Sequence, residues 1–190
     1  LERLEIYEAL LRKWNPRINL VAKSTLDHIW TRHIADSAQI YQFAKHPVKH
    51  WADLGSGAGF PGLVIALMSM DSGSPQRVTL VESDARKCTF LRTVVRETGA
   101  TADVINARIE ETEPLMADVL SARALANLSK LLEFAAVHLA EDSTALFLKG
   151  ASWKKELEKA QSKWNFEHRV DKSETEDGPV ILSITGVARV

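Results

Sequence analysis

Apolar residues follow two different spacings along this chain, and the spacing changes near Pro47. In residues 1–46 they recur every three or four positions, first over the opening ten residues and again over 27–44. This spacing predicts two helices. We expect Pro16, which has no N–H, to interrupt the first helix. Ser24 or Thr25 is expected to cap the second, because hydroxyl side chains accept from free helix N–H groups.

After Pro47, short apolar runs alternate with helical segments. The runs interpreted as buried strands are, in order, HWADL, RVTLVE, ADVIN, MADVLS and TALFLK. The segments predicted between them are helices at 61–70, 84–97 and 127–139, a helical turn at ARIEE, and a turn at Glu141-Asp142 before the fifth strand. This alternation predicts an α/β fold with a doubly wound, largely parallel sheet.

Two extended segments, WNFEHRV and PVILSITGVARV, end the chain after a predicted helix at 153–163. No helix separates them, so we expect an antiparallel pair at one edge of the sheet. The chain therefore divides into an N-terminal helical extension, residues 1–48, and an α/β domain, residues 49–190.

The composition narrows the class of protein. A single cysteine, Cys88, excludes an internal disulfide and a cysteine-rich metal site, and we predict no bound metal. The longest apolar run, LVIALMSM, is far shorter than the roughly 20 residues of a membrane-spanning helix, and no export signal is visible. We therefore expect a cytoplasmic protein with no membrane partner. The chain begins at Leu1 and not at Met, so native residues are expected to precede it.

Charge is distributed unevenly around a net value of −1. Residues 1–50 hold eight Lys and Arg against five Asp and Glu, and residues 149–172 hold seven against four. The net charge argues against a protein whose whole surface binds nucleic acid. A local basic face for phosphates and scattered solvated charges both fit the two basic stretches.

The stretch DLGSGAGFPG, residues 53–62, contains two glycine patterns at once. Gly57 to Gly62 fits G-x-G-x-x-G, the dinucleotide fingerprint, whereas Asp53 to Gly59 fits D-x-G-x-G-x-G. Both place a glycine-rich turn after the first strand, where the ligand of an open α/β sheet binds. The two patterns differ in the ligand that they predict.

Two carboxylates indicate which ligand fits. Asp53 ends the first strand, where it would repel a pyrophosphate but suit a ligand with an amino group and a sulfonium, as in S-adenosylmethionine (SAM). Glu82 ends the second strand and can accept both ribose hydroxyls of an adenosine, which NAD and SAM share. We therefore favour SAM over a dinucleotide and assign Asp53, Gly55, Gly57, Gly59 and Glu82 to the cofactor.

Several further motifs accompany the loop in a fixed order: WNPRINLVAKS, TRHIADSAQI, LVESDARKCTFLRTV, NARIEE, SARALANLSKLLEFA and LFLKG. With DLGSGAGFPGLVIAL, they resemble the bacterial 16S ribosomal RNA guanine-nitrogen-7 methyltransferases, also called the glucose-inhibited division protein B family. The resemblance runs from about Trp14 to Gly150 and, more weakly, to the end of the chain.

The resemblance implies a class I SAM-dependent methyltransferase (Rossmann-like) fold and methylation of guanine N7 in 16S ribosomal RNA (rRNA). The motifs leave open whether the substrate is naked RNA, a partial particle or a whole subunit. The near-neutral charge favours RNA presented within a small ribosomal subunit or its precursor. By similarity, Gly55 and Phe60 contact SAM, Glu82 holds its ribose, and the pair Ile109-Glu110 lies beside the adenine. Arg123 follows the fourth strand, near the cofactor.

Two cationic residues are candidates for the substrate side. Arg123 can bond the cofactor's carboxylate or the guanine edge, whose N7 and O6 are acceptors. Lys149, at the end of the fifth strand, is a second candidate, facing an RNA phosphate or the guanine. Guanine N7 has an in-plane lone pair and needs no general base, so we expect Arg123 to act mainly by positioning.

The motif R-H-x-x-D-S lies in the extension. Arg32 and Asp36 are four residues apart, so an intrahelical salt bridge is expected between them. His33 is expected to pack on an apolar face. We assign this cluster to docking the extension across the mouth of the cofactor site, with some RNA contact.

Three other functions remain open from the residues. A nicotinamide oxidoreductase lacks a convincing acid or base after the third to fifth strands. An RNA-binding module without catalysis would not need the Asp53 to Gly62 loop together with Glu82. A SAM enzyme that acts on a small molecule or a protein is the nearest alternative. We expect the protein to be a monomer.

Overall fold

The computed structural model describes all 190 residues and contains one seven-stranded sheet. The strands are β1 (His50–Leu54), β2 (Arg77–Glu82), β3 (Asp103–Asn106), β4 (Ala117–Arg123), β5 (Leu139–Lys149), β6 (Trp164–Lys172) and β7 (Val180–Arg189). Their order is β3-β2-β1-β4-β5-β7-β6, and β1 to β5 are parallel. The predicted doubly wound sheet is confirmed.

Helices cover both faces of this sheet. They are α1 (Glu2–Ile18), α2 (Asp36–Ala38), α3 (Gly62–Ser72), α4 (Ala85–Thr98), α5 (Leu128–His138) and α6 (Trp153–Gln161), with a 3-10 turn at Ile109–Glu111. Successive strand residues point to opposite faces, so Trp51 packs with the extension, α3 and α4, whereas Ala52 packs with α5 and α6. The sheet is therefore buried on both sides, as its continuous apolar strands require.

The last two strands form the expected edge. β7 runs antiparallel to β5, and β6 runs antiparallel to β7 at the end of the sheet. The loop between β6 and β7, residues 173–179, returns toward the carboxyl ends of the parallel strands because β7 begins there, with Val180 beside Lys149.

The fifth strand begins earlier than predicted. It starts at Leu139, and the predicted turn at Glu141-Asp142 lies within it. Ala117 pairs with Leu139 but Val119 pairs with Thr144, so the intervening residues form a bulge in which Asp142 has φ 56°. The turn residues therefore bend the strand without ending it.

The first helix corrects the prediction for Pro16. The helix continues past Pro16 to Ile18 and ends at Asn19, which has the left-handed φ of 50°. Proline in the last turn removes one backbone hydrogen bond, and here this loss does not end the helix. The side chain of Asn15 closes the turn that follows, accepting from the N–H of Val21 at 2.8 Å.

The second helix of the extension is not one regular helix. It divides into a 3-10 turn (Lys23–His28), a π-helical turn (Trp30–Ala35), α2 and a second 3-10 turn (Gln39–Phe43). The prediction that Ser24 or Thr25 caps it is wrong, because no side chain caps the Lys23–His28 turn. The Thr25 hydroxyl instead donates to the carbonyl of Ala22.

The extension and the α/β domain share one apolar core. Tyr7, Leu11 and Ile34 from the extension belong to the same buried cluster as Leu63 of α3 and Phe90 of α4. The division at residue 48 stays a prediction. None of the helices has the length and apolar character needed to cross a membrane.

Candidate active site

The loop from β1 to α3 lies at the carboxyl ends of the parallel strands. Gly55, Gly57 and Gly59 have φ of 63°, 56° and 97°, a region that other residues seldom adopt. Gly62 is required for a different reason: a methyl there would overlap the Leu80 side chain and lie 2.7 Å from the Asp53 carboxylate. The glycines therefore allow a tight loop that packs closely on β1 and β2.

Asp53 lies beneath this loop and is fully buried. Its Oδ2 accepts from the N–H of Gly62 at 3.2 Å, and its Oδ1 accepts from the hydroxyl of Ser121 at 2.7 Å. Burial raises the pKa of the Asp53 carboxyl to about 6, and the hydrogen bonds from Ser121 and Gly62 oppose that rise. Asp53 thus joins β1, β4 and the start of α3.

A cavity of about 550 Å³ opens above the loop. Its walls come from the glycine loop, the ends of β2 and β4, the Ile109 turn, α5 and the turn after α1. The lining includes Gly55, Gly57, Phe60, Glu82, Ile109, Glu110 and Arg123 from the predicted set, together with Leu20, Val21, Lys87, Leu125, Lys130 and Phe134. Asp53 and Gly59 are not among the lining residues, so the geometry favours an indirect role for both.

Glu82 lines the cavity and also organises the loop. Its Oε2 accepts from the N–H of Gly57, and its Oε1 accepts from the N–H of Asp84, both at 2.8 Å. Each carboxylate oxygen has a second lone pair for another donor. Glu82 is therefore placed to accept from a hydroxyl pair while it holds the loop.

Ile109 lines the cavity with a buried apolar side chain, and Glu110 beside it is exposed. The carbonyl of Ile109 lies 3.2 Å from His138 Nε2 of α5. A carbonyl only accepts, so Nε2 carries the proton and donates. Burial lowers the pKa of His138, which favours this neutral ring.

The Phe60 ring is the meeting point of the loop and the extension. It stacks on Tyr7 of α1 at 5.2 Å and on His33 at 5.0 Å between ring centroids, and the Arg123 guanidinium lies 5.0 Å from its centroid. Tyr7 also donates to the carbonyl of Ala58 in the loop. Stacking and cation–π contacts thus fix Arg123 beside the cavity.

Arg123 is held by polar groups of the extension. Its Nη1 donates to Asp36 Oδ2 and to the carbonyl of Arg32, both at 3.3 Å, and Nη2 donates to His33 Nδ1 at 3.0 Å. The side chains of Arg123 and Asp36 are each 19% exposed. We call Phe60, His33, Asp36 and Arg123 the clamp.

The protonation state of His33 follows from its partners. A guanidinium only donates, so His33 Nδ1 accepts and Nε2 donates to the hydroxyl of Thr25 at 2.8 Å. Burial, assisted by the positive charges of Arg123 and Arg32, lowers the pKa of His33 to about 4. His33 therefore binds Arg123 as a neutral ring.

The predicted salt bridge between Arg32 and Asp36 is wrong. Arg32 pairs with Glu176 of the β6–β7 loop at 2.9 Å, and Asp36 pairs with Arg123. The π-helical turn at Trp30–Ala35 changes the angular spacing, so residues four apart no longer stack on one face. The freed side chains connect the extension to two other parts of the chain.

Lys149 is engaged in an ion pair. Its ammonium lies 2.7 Å from Glu156 Oε2 of α6 and donates to the carbonyl of Ala126 at 3.0 Å, and the side chain is 9% exposed. In this arrangement Lys149 connects β5 to α6 and to the segment after β4. Its predicted contact with RNA or guanine stays a prediction.

Several residues of the site were not predicted from the sequence. Tyr7 and Val21 were not among the predicted site residues, and nothing in their local pattern indicates contact with a loop more than thirty residues away. Lys87 and Lys130 follow helix starts in α4 and α5, so their place at the cavity mouth depends on where the strands end.

Known proteins resemble this chain over nearly its whole length. A profile of the family described as "GidB: rRNA small subunit methyltransferase G" matches residues 1–178. The chain belongs to the GidB family. The Ribosomal RNA small subunit methyltransferase G of Ruegeria sp. (strain TM1040) is 50% identical over 190 residues, which cover 100% of this chain and 92% of that relative. The predicted family is thereby confirmed, and with it an rRNA methyltransferase enzyme that acts on the small-subunit, 16S RNA.

Solved structures support the fold of this GidB member. The ribosomal protein L11 methylase of Lactobacillus delbrueckii subsp. bulgaricus superposes with a TM-score of 0.62 and 16% identity, covering 80% of this chain and 76% of that one. The TYW2 protein of M. jannaschii, solved in complex with AdoMet, superposes with a TM-score of 0.61 and 13% identity. The match covers 83% of this chain and 76% of that one. The fold is that of class I methyltransferases, with the helical extension added at the N-terminus.

Proposed function

We propose that this GidB protein transfers the methyl group of SAM to N7 of one guanine of 16S rRNA. The observation that carries the proposal is the position of Arg123, which lines the cofactor cavity on one side and a second cavity on the other. A single fixed guanidinium can therefore orient a base directly beside the methyl donor.

The residues of the 550 Å³ cavity fit SAM. Glu82 offers a carboxylate for the ribose hydroxyls, and Ile109 offers an apolar surface for the adenine. A Cβ at Gly55 would lie 2.5 Å from the side chain of Leu125, which also lines the cavity, so only glycine fits here without displacing that wall. The neighbour TYW2 was solved with the same cofactor in the same fold.

SAM supplies an electrophilic methyl, which the lone pair of guanine N7 takes in a displacement as the carbon–sulfur pair returns to sulfur. No proton leaves N7, so the protein needs no base at this atom. Asp36 pairs with Arg123 at 3.3 Å, and the paired guanidinium opposes positive charge on the purine less than a bare cation would. The clamp thus contributes mainly orientation.

The substrate we propose is a ribosomal small-subunit particle or its precursor, and not free RNA. Three cations, Lys87, Arg108 and Lys130, lie at the cavity mouth. Arg108 pairs with Glu110, and Lys130 pairs with both Glu110 and Glu133. With a net charge of −1, the protein offers little general attraction to RNA phosphates. A target base presented by a structured particle lowers that requirement.

We also propose a monomer. The large apolar side chains that are exposed, Leu1, Met116, Val137 and Val190, are separate from one another along the chain, and two of them are terminal. Sedimentation of the purified protein should give a single species near 21.1 kDa. The cytoplasmic location stays a prediction.

The test is transfer of labelled methyl from SAM to small-subunit particles from cells that lack this protein, with the product nucleoside identified by mass. We expect 7-methylguanosine in 16S RNA, and less label on the same RNA stripped of protein. Another methylated nucleoside, or label only on protein or small molecules, would contradict the N7 assignment.

A further inference from the structure

A second cavity of about 210 Å³ lies on the far side of Arg123 from the cofactor cavity. Arg123 and Ala124 line both cavities, so the two cavities adjoin at one short segment at the end of β4. The other walls are the end of β5, the start of β7, Asp36 of the extension, and Ser173 and Glu176 of the β6–β7 loop.

Nearly every polar side chain in this second cavity already has its partners. Asp36 accepts from Gln39 and Thr175 at Oδ1 and from Arg123 at Oδ2. Lys149 is paired with Glu156, and the Ser173 hydroxyl is bound to Gln39 and Thr175. These groups hold the walls together, which leaves them little capacity to select a ligand.

Glu176 is the exception. Its Oε1 accepts from Arg32 at 2.9 Å, Oε2 has no protein donor, and the side chain is 42% exposed. Of the two carboxylates that line the second cavity, Glu176 is thus the one with an oxygen that accepts from no protein group.

The backbone that carries Glu176 is fixed to the extension. The N–H of Glu174 donates to Gln39 Oε1, and the hydroxyl of Thr175 donates to Asp36 Oδ1, both at 2.9 Å. The ion pair with Arg32 adds a third attachment. A carboxylate held in this way loses little conformational freedom when it binds a ligand.

We propose that Glu176 determines the specificity for guanine, by accepting hydrogen bonds from N1–H and the 2-amino group of the target base; this rests on the proposed function. Both groups are donors on the Watson–Crick edge, whereas adenine has an acceptor at N1 and no 2-amino group. A carboxylate, which only accepts, therefore favours guanine and rejects adenine.

The placement agrees with the reaction. N7 lies on the opposite side of the purine from N1–H and the 2-amino group, so a base that turns its Watson–Crick edge to the β6–β7 loop turns N7 toward the end of β4 and the cofactor cavity. The guanidinium of Arg123 offers a planar surface there for an unstacked base. An enzyme that modifies one base out of a helix commonly reads its Watson–Crick edge in such a pocket.

The experiment compares two proteins on two substrates. Small subunits are reconstituted with 16S RNA that carries either guanosine or a single inosine, which lacks the 2-amino group, at the methylated position. Single-turnover methyl transfer is measured for wild type and for Glu176→Gln at saturating SAM, and SAM affinity is measured by calorimetry.

We expect Glu176→Gln to slow transfer to guanosine about ten- to a hundredfold, the usual loss for one hydrogen bond to a charged group, with SAM affinity unchanged. Wild type should lose about tenfold on inosine. For Glu176→Gln, replacing guanosine by inosine should lower the rate of methyl transfer no more than about twofold, because the acceptor that binds the 2-amino group is already altered.

Glu174→Gln is the matched control, since it removes the same charge from the same loop at a residue outside the second cavity. Wild type that accepts inosine as well as guanosine, or a variant that loses the same factor as wild type on inosine, would overturn the role of Glu176. A wild type that forms no 7-methylguanosine at all would instead overturn the proposed function.

Discussion

The glycine loop and the helical extension meet at the Phe60 ring, but different forces hold them in place. The loop is fixed from below by buried groups: the Asp53 carboxylate, the Leu80 side chain, and a glycine where no methyl fits. On the extension side, Asp36 and His33 hold Arg123 through hydrogen bonds of partly exposed side chains. We infer that the loop is tied to the stability of the fold, whereas the clamp can be altered with the fold intact.

The largest effect is expected at Gly62. Gly62→Ala should lower the free energy of unfolding by about 3 kcal/mol or more and weaken SAM binding, because the added methyl overlaps Leu80 and the buried carboxylate. Urea unfolding of Gly150→Ala provides the control, since that methyl would meet nothing within 4 Å. Equal stability of the two variants would contradict the packing account of the loop.

Asp53 should make stability depend on pH. The pKa of the Asp53 carboxyl is about 6 in the folded protein, and its ordinary value is 3.8. The protonated carboxyl therefore makes its full contribution to folding stability below about pH 4, and this contribution is lost as the pH rises through 6. The rise corresponds to about 3 kcal/mol. Relative to wild type, Asp53→Asn should therefore gain stability between pH 4 and pH 7.

The measurement is urea unfolding of both proteins at intervals across this range. The difference between them should grow with pH and become constant above pH 7. Two parallel stability curves would show that the Asp53 carboxyl is not perturbed by burial.

Asp36 tests the other side of the comparison. Asp36→Ala should slow methyl transfer about ten- to a hundredfold, because Arg123 loses its charged partner, while SAM affinity changes by less than about threefold. Asp27→Ala, at an exposed acidic position of the same extension, is the control. An equal loss of SAM affinity would show instead that the clamp acts in binding the cofactor.

The smallest effect concerns the titration of His33. Its ring should titrate near pH 4, and Arg123→Ala should raise that pKa only part of the way to 6.5, because burial is the larger cause. The pKa of His33 in the folded protein lies below its ordinary value. The neutral ring therefore contributes to the stability of the folded protein above about pH 6.5, and this contribution is lost as the pH falls toward 4. Ring resonances followed by NMR would settle this, and a wild-type midpoint near 6.5 would contradict the neutral clamp.

Sequence alone was enough for the parts of the site that are local. Asp53 to Gly62 is one continuous loop after a strand, and Glu82 ends the neighbouring strand, so parallel pairing alone brings them together. The parallel sheet follows from the alternation of strands and helices, and the antiparallel edge follows from the two final strands that no helix separates. The extension was predicted to be helical, which is correct in outline.

The contacts between distant segments could not be predicted. The i, i+4 spacing of Arg32 and Asp36 suggested a mutual salt bridge, but a π-helical turn changes their orientation, and their partners are 144 and 87 residues away. The second cavity likewise depends on a loop that returns from the far edge of the sheet. Long-range pairing of polar side chains leaves no periodic signal in one sequence.

Arg123→Ala tests the central claim most directly, with single-turnover methyl transfer to small subunits and SAM affinity measured on the same protein. If the clamp positions guanine, transfer should fall about a hundredfold or more, while SAM affinity stays within about threefold of wild type. Transfer and SAM binding that are both unchanged would contradict the account. An equal loss in both would assign Arg123 to the cofactor and not to the base.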